Sequence, residues 1–155
     1  MGLTKIKKGF DLPLAGTPDQ STIHAKDVQS VALLGEDYIG MRPTMLVQPG
    51  DKVKLGDVIL TDKKLEGVKY TAPGAGEVVA INRGAKRAFL SLVIRLEGNE
   101  EVTFDGRTDD AIAGLDGDAV KTQLIDSGQW TALRVRPYSK VADPNTTPHS
   151  IFVNV

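Results

Sequence analysis

Short apolar runs broken by glycine and proline fill the chain from about residue 28 to residue 104. Residues 28–34 (VQSVALL) and 44–47 (TMLV) are rich in Val and Leu and predict two strands. QPGD follows, with Pro49 presetting φ and Gly50 supplying a positive φ, so a tight turn is expected there. Over 51–60 (DKVKLGDVIL) the pattern alternates in part, with Val53 and Leu55 on one face before Gly56 interrupts it. Residues 68–71 (VKYT) predict a short strand. Pro73-Gly74-Ala75-Gly76 then predicts a bend, and 77–82 a further strand that Arg83-Gly84 breaks. The apolar run 88–96 (AFLSLVIRL) reads as a buried strand, and 101–104 (EVTF) as another candidate.

Beyond residue 104 the pattern becomes helical. The acidic, Ala-rich stretch from Asp109 to Gly117 predicts a short helix. Asp116 or Asp118 is placed to cap a second helix running to about Ser127, with Val120 and Leu124 on one face and Gly128 in the C′ position. The segment QWTALRVRPYSK and a Pro/Asn/Thr loop come next. Ile151, Val153 and Val155 alternate with Phe152 and Asn154, which reads as a strand. An apolar strand is an unusual place for a domain to stop, so the chain is expected to be part of a longer protein. The pattern as a whole predicts an α+β fold, mostly β. It divides into an N-terminal strand and loop (1–27), a β domain (28–96), a helical and loop segment (97–150) and the start of a further domain (151–155).

The 155 residues are 41% hydrophobic and 25% charged, which is the composition of a folded globular chain. A net charge of −1 gives no general attraction to nucleic acid. The absence of cysteine removes disulfides, thiolate metal sites and Fe–S ligation within this chain. The first residues, MGLTKIKKGFDLPLAG, carry charge but no apolar h-region, so no export signal is expected. No apolar run reaches the roughly 20 residues that span a bilayer.

The Gly-rich APGAGEV stretch lacks the Lys and Ser/Thr of a Walker loop. It opens a β-branched run rather than a helix, with Val79 where a dinucleotide fingerprint has its third glycine. Nucleotide binding is not expected there. His24 and His149 are read as exposed loop histidines, with no metal site. Two basic groups remain. Arg83, Lys86 and Arg87 in NRGAKR sit between strands, as a solvated turn or a contact surface. Arg134, Arg136 and Lys140 are interleaved with Trp130 and Tyr138. This is either a binding segment, where Arg and aromatic residues are enriched, or a core Trp with arginines paired to the acidic 97–118 region.

The β segment resembles the barrel-sandwich half of biotinyl- and lipoyl-type domains. Val47, Gly50, Asp51, Val53, Gly56 and Leu60 match the first strand pair, and Ala72, Pro73, Gly76 and Val78 match the returning strand. In those carriers a modified Lys stands six residues before the Ala of A-P. Here that position is Glu66, with Lys63 and Lys64 out of register, so no covalent modification is expected. The longer runs KIKKGFDLPLAG, VALLGEDYIGMRPTMLVQPGD, TDKKLEGVKYTAPGAGEVVAINRGAKR, DSGQWTALRVRPYSKV and SIFVNV extend the likeness over nearly the whole chain. Together they resemble the A-subunit family of bacterial Na⁺-translocating NADH:quinone reductases, which is related to the C subunit of the Rnf complex.

That resemblance implies a barrel-sandwich-hybrid fold followed by a short helical segment. It implies the N-terminal part of a peripheral subunit on the cytoplasmic side of the inner membrane, in a respiratory complex that passes electrons from NADH to ubiquinone and exports Na⁺. Flavins and Fe–S centres are then expected in other subunits, with no covalently bound cofactor and no catalytic residue in this chain. The membrane-embedded B subunit is the expected neighbour. Quinone interaction is expected at Trp130, Arg134, Arg136 and Tyr138, as an aromatic wall with donors for the carbonyl oxygens. Contact with other subunits is expected at Arg83, Lys86 and Arg87. A purely structural assembly module and an unmodified carrier domain are the alternatives.

Overall fold

The computed structural model describes residues 15–153 except Pro18 and His24. The predicted N-terminal strand and the His24 loop position thus fall largely or wholly outside the described residues. Seven strands build the first unit: β1 (Ser30–Leu34), β2 (Pro43–Met45), β3 (Lys52–Val53), β4 (Val58–Asp62), β5 (Lys69–Thr71), β6 (Gly76–Arg83) and β7 (Phe89–Leu96). They form a four-stranded sheet in the order β1-β7-β6-β3 and a three-stranded sheet in the order β2-β4-β5. All the pairings are antiparallel. This is a barrel-sandwich hybrid, mostly strand.

Inward residues of both sheets meet in one core. Leu33, Val53, Ile59, Leu60, Val68, Tyr70, Ala72, Val78, Leu92 and Ile94 are all buried and form a single cluster. Burying such side chains stabilises a fold by about 1.5–3 kcal/mol each, before the entropy of ordering them is counted. Strict alternation would leave every second residue outside, and two irregularities modify it. The β4–β5 register shifts between Val58 and Leu60, and the neighbours Ile59 and Leu60 are both fully buried. The β6–β7 register shifts between Val78 and Ala80. Val79 takes the unpaired place there and is exposed, while Val78 is fully buried.

The repeated Gly-Asp of the sequence makes two turns of one design. In Gln48–Asp51 the Asp51 N–H donates to the Gln48 carbonyl (3.1 Å), and Asp51 Oδ2 accepts from the Gln48 N–H (2.9 Å). In Lys54–Asp57 the same two bonds recur at 3.1 and 2.7 Å. Gly50 and Gly56 hold φ of +97° and +90°, where a side chain would be strained. Each turn is then stitched to another segment by two backbone bonds, the first to Val78 and the second to Ala72. The turns therefore place the returning APGAGEV segment.

Several expectations require correction. Val53 and Leu55 do not share a buried face, because the chain leaves the strand after Val53 and Leu55 is exposed. The run 88–96 is not buried throughout: Leu92 and Ile94 are buried, Ser91 and Val93 on the alternate positions only partly so, Arg95 is exposed, and Leu90 at a bulge is 52% exposed. Residues 101–104 form no strand; Glu101 makes only an isolated parallel bridge to Leu55. Ile151, Phe152 and Val153 are exposed and outside any strand, since no strand among the described residues pairs with them. Asn154 and Val155 lie outside the described residues.

The helices follow the reading closely. α1 is Asp109–Ala113, capped by Thr108. α2 is Gly117–Asp126, with Asp116 in the N-cap position but its side chain making no capping hydrogen bond, and with Gly128 at φ +75° just past its end. Val120 is nevertheless exposed on α2 while Leu124 is half-buried. Gln129–Ala132 makes a 3₁₀ turn, and β8 (Arg134–Val135) pairs with β9 (Lys140–Val141) in a small hairpin that the sequence pattern does not show.

Candidate functional site

Trp130 fixes the segment that carries the predicted quinone contacts. Its ring packs on the barrel core, and its Nε1–H donates to the Ala142 carbonyl at 2.8 Å. The Ala142 N–H in turn donates to the Leu133 carbonyl at 2.9 Å. Gly128 approaches β5 so closely that a Cβ there would stand 2.5 Å from Thr71 Oγ1. Lys69 Nζ lies 2.6 Å from Asp126 Oδ1. These contacts hold the end of α2 and the β8–β9 hairpin against the three-stranded sheet.

Arg134 sits at the base of the hairpin. Its Nη1 donates to the Asp37 carbonyl at 2.9 Å and to the Ser139 carbonyl at 3.3 Å. Its guanidinium lies over the Tyr38 ring, 5.0 Å from the centroid. The expected pairing of these arginines with the acidic 97–118 region is not formed by Arg134, whose partners are Ser139 of its own hairpin and two residues of the segment after β1. Arg136 and Tyr138 occupy the connection between β8 and β9 and are exposed, Tyr138 by 70%. The arginine precedes a cis proline, Pro137.

The structure adds residues that sequence reasoning missed. Tyr38 meets Tyr70 edge-to-face, with centroids 4.8 Å apart and planes at 88°. Tyr70 is 2% exposed. Burial, and secondarily the charge of Asp62, pushes its hydroxyl well above the ordinary tyrosine range. Asp62 is buried too, and its Oδ1 accepts from the Arg42 N–H (3.0 Å) and the Lys64 N–H (2.9 Å). Strand burial of a Tyr is common, so nothing in the sequence marked this cluster; only the long-range pairing of sheet and loop assembles it. Trp130 faces the core and Tyr138 the solvent, so the aromatic pair of this region is Tyr38–Tyr70.

Arg83, Lys86 and Arg87 lie together at the β6–β7 connection and are exposed. Arg83 Nη1 donates to the Arg87 carbonyl at 3.3 Å. Lys86 and Arg87 both hold left-handed φ, +53° and +62°, so the loop has a defined and mildly strained shape. Among the described residues none of the three forms an ion pair.

Glu66, at the carrier-lysine position, is exposed in the turn between β4 and β5. Lys64 beside it donates from Nζ to the Gly40 carbonyl at 2.8 Å. His149 is exposed, with Nδ1 2.8 Å from Ser150 Oγ. Among the described residues no group of three His, Cys, Asp or Glu side chains is arranged to hold a metal ion, and no helix is long and apolar enough to cross a membrane.

The model of the NqrA N-terminal barrel-sandwich hybrid domain matches residues 4–97, and that of the NqrA second alpha/beta domain matches residues 115–155. The A subunit of the Na(+)-translocating NADH-quinone reductase of Alcanivorax borkumensis is 55% identical over 154 residues, covering 99% of this chain and 34% of that protein. Its Vibrio alginolyticus counterpart is 55% identical over 148 residues, covering 96% and 33%. The Pseudomonas aeruginosa counterpart is 55% identical over 151 residues, covering 97% and 34%. The chain spans about a third of the length of these relatives.

Proposed function

The chain belongs to the A-subunit (NqrA) family of the Na(+)-translocating NADH-quinone reductases, and on that footing we propose that it serves as a peripheral part of such a complex. In this reading it helps to shape or flank the quinone site and carries no redox centre of its own. NADH oxidation, flavin and Fe–S chemistry and Na⁺ export are then the work of other subunits. The membrane-embedded B subunit is the neighbour, and this chain lies on the cytoplasmic side of the membrane.

The observation that carries the quinone reading is the hairpin clamped by Trp130. It leaves Arg136 and Tyr138 in solvent, available to a ligand or partner, while Arg134 rests on Tyr38. Arg and Tyr donors aimed at the quinone oxygens would stabilise the negative charge that reduction puts there. The clamp would keep those donors oriented before the substrate arrives. Arg134 and Trp130 act in this account by positioning the hairpin, and Arg136 and Tyr138 by contact. To test it, a short-chain ubiquinone is titrated into the full-length protein while tryptophan fluorescence is followed, with Trp130→Phe as the control that isolates the Trp130 signal, and the intact complex carrying Arg136→Ala or Tyr138→Phe is assayed. A saturable fluorescence change and a raised KM for quinone are expected. No saturable change, with unaltered turnover in both variants, removes the quinone role.

A second reading, an assembly module, is favoured by one specific feature: three exposed cations on the shaped loop Arg83–Arg87 without an ion-pair partner among the described residues. Charged surfaces of this kind steer and register partners more than they tighten them. The carrier reading is left with Glu66 where a modifiable lysine would stand.

A further inference from the structure

A cavity of about 100 Å³ lies between the segment Tyr38–Met41, the β4–β5 hairpin and β9. Its walls include the apolar side chains of Ile39, Leu65 and Val141, and its polar groups are Tyr70, Asp62, Lys64 and Lys140. Tyr70 Oη is buried and makes no hydrogen bond to another described protein atom. Both described bonds to the Asp62 carboxylate go to Oδ1, leaving Oδ2 without a protein donor among the described residues. Buried hydroxyls are nearly always partnered, and the cavity that Tyr70 lines is a space where such a partner can sit.

We propose that this partly open cavity is a water site in which ordered water accepts from Tyr70 Oη–H and donates to the Asp62 carboxylate, linking β5 to the end of β4 beside the β8–β9 hairpin. The polar lining selects the occupant. Tyr70 offers a buried hydroxyl donor, and Asp62 Oδ2 is an acceptor without a protein donor among the described residues, so the bridging species must both accept and donate. An anion is opposed by the Asp62 carboxylate, and a cation by Lys64 and Lys140. Neutral water fits both requirements. The space is well above the ~10–15 Å³ that admits one water molecule, and two protein partners plus a second water supply the two to four bonds that a buried water ordinarily makes. Val141 of β9 and Tyr38, which carries Arg134, form separate parts of the wall. The water therefore sits where the hairpin joins the barrel.

The experiment is a high-resolution crystal structure of the full-length protein, with and without xenon pressurisation, together with the Tyr70→Phe variant. Density for water within hydrogen-bond distance of Tyr70 Oη and of the Asp62 carboxylate is expected, with no xenon in the cavity. Loss of that water in Tyr70→Phe is also expected. An empty cavity in a map that shows ordered water elsewhere, xenon bound in the unsubstituted protein, or Tyr70 Oη bonded directly to a protein atom would each overturn the proposal. Should Tyr70→Phe fail to fold, the map of the unsubstituted protein decides the matter by the presence or absence of water within hydrogen-bond distance of both groups.

Discussion

The guanidinium of Arg134 lies over the ring of Tyr38, 5.0 Å from its centre, joining two segments far apart in the chain. The contact ties the hairpin of the helical segment to the loop that leaves β1. A cation over an aromatic ring at an exposed site contributes about 0.5–1 kcal/mol, and two carbonyl acceptors add to it. Arg134→Ala is expected to lower the unfolding free energy by about 1–2 kcal/mol. A double-mutant cycle with Tyr38→Leu in urea titrations should return a coupling of about 0.5–1 kcal/mol. Strict additivity would show that the two side chains do not interact.

Gly76 begins β6 at φ +151°, and a Cβ there would stand 1.9 Å from the Arg95 carbonyl oxygen. That oxygen belongs to the paired strand β7 and cannot move without breaking the ladder. Gly76→Ala is expected to cost about 3–5 kcal/mol, combining backbone strain with overpacking. Chemical denaturation reads the loss, and a change below about 1 kcal/mol would mean that the strand does not cross at this distance.

Trp130→Phe keeps a ring on the core and removes one donor. The Ala142 carbonyl loses its 2.8 Å partner. A loss of about 1–2 kcal/mol is expected. Amide hydrogen exchange should quicken first at Ala142, whose N–H donates to Leu133 in the same tie. Unchanged exchange there would separate the indole bond from the hairpin's stability.

The pH dependence follows from Tyr70. Its hydroxyl is raised above the ordinary value of 10.0 by burial first and by the Asp62 charge second. The folded state therefore holds a proton that the unfolded chain releases above about pH 10. This contribution to stability is complete below that pH and declines as pH rises past it. Denaturation midpoints should fall from about pH 10 upward, and Tyr70→Phe should flatten that decline while leaving the slope between about pH 7 and 9 unchanged. An identical alkaline slope in the two proteins would contradict the assignment.

Reversing the charge at Arg83 and Arg87 separates assembly from folding. Both side chains are exposed, so Arg83→Glu with Arg87→Glu should alter the protein's own stability by no more than about 0.5 kcal/mol each. Loss of the protein from the purified complex at physiological salt is expected. Retention at full stoichiometry would leave the basic loop without a partner role.

Much of the barrel was legible because its signals are local. Gly50 and Gly56 announce positive-φ turns, and each following Asp supplies the acceptor that closes its turn. Gly128 marks the end of α2 in the same manner. The family resemblance rests on these motifs together with the longer runs around them, and the family comparison agrees. The basic loop Arg83–Arg87 was likewise found from its place between two strands, although nothing local says what it meets.

Tertiary structure alone decided the rest. Strand periodicity cannot reveal where a ladder skips a residue, so the exposure of Val79 and the paired burial of Ile59 and Leu60 depend on registers set across the sheets. Whether Trp130 turns to the core or to a ligand depends on an acceptor, the Ala142 carbonyl, that the returning hairpin brings to it. Arg134 could have met any carboxylate of the 97–118 region on sequence grounds. It meets Tyr38 and the Asp37 carbonyl instead, because the docking of α2 and its 3₁₀ turn on β5 carries the hairpin to the loop after β1. Turn chemistry is written residue by residue. Which distant groups share a cavity is fixed only when sheets, bulges and docked segments are all in place.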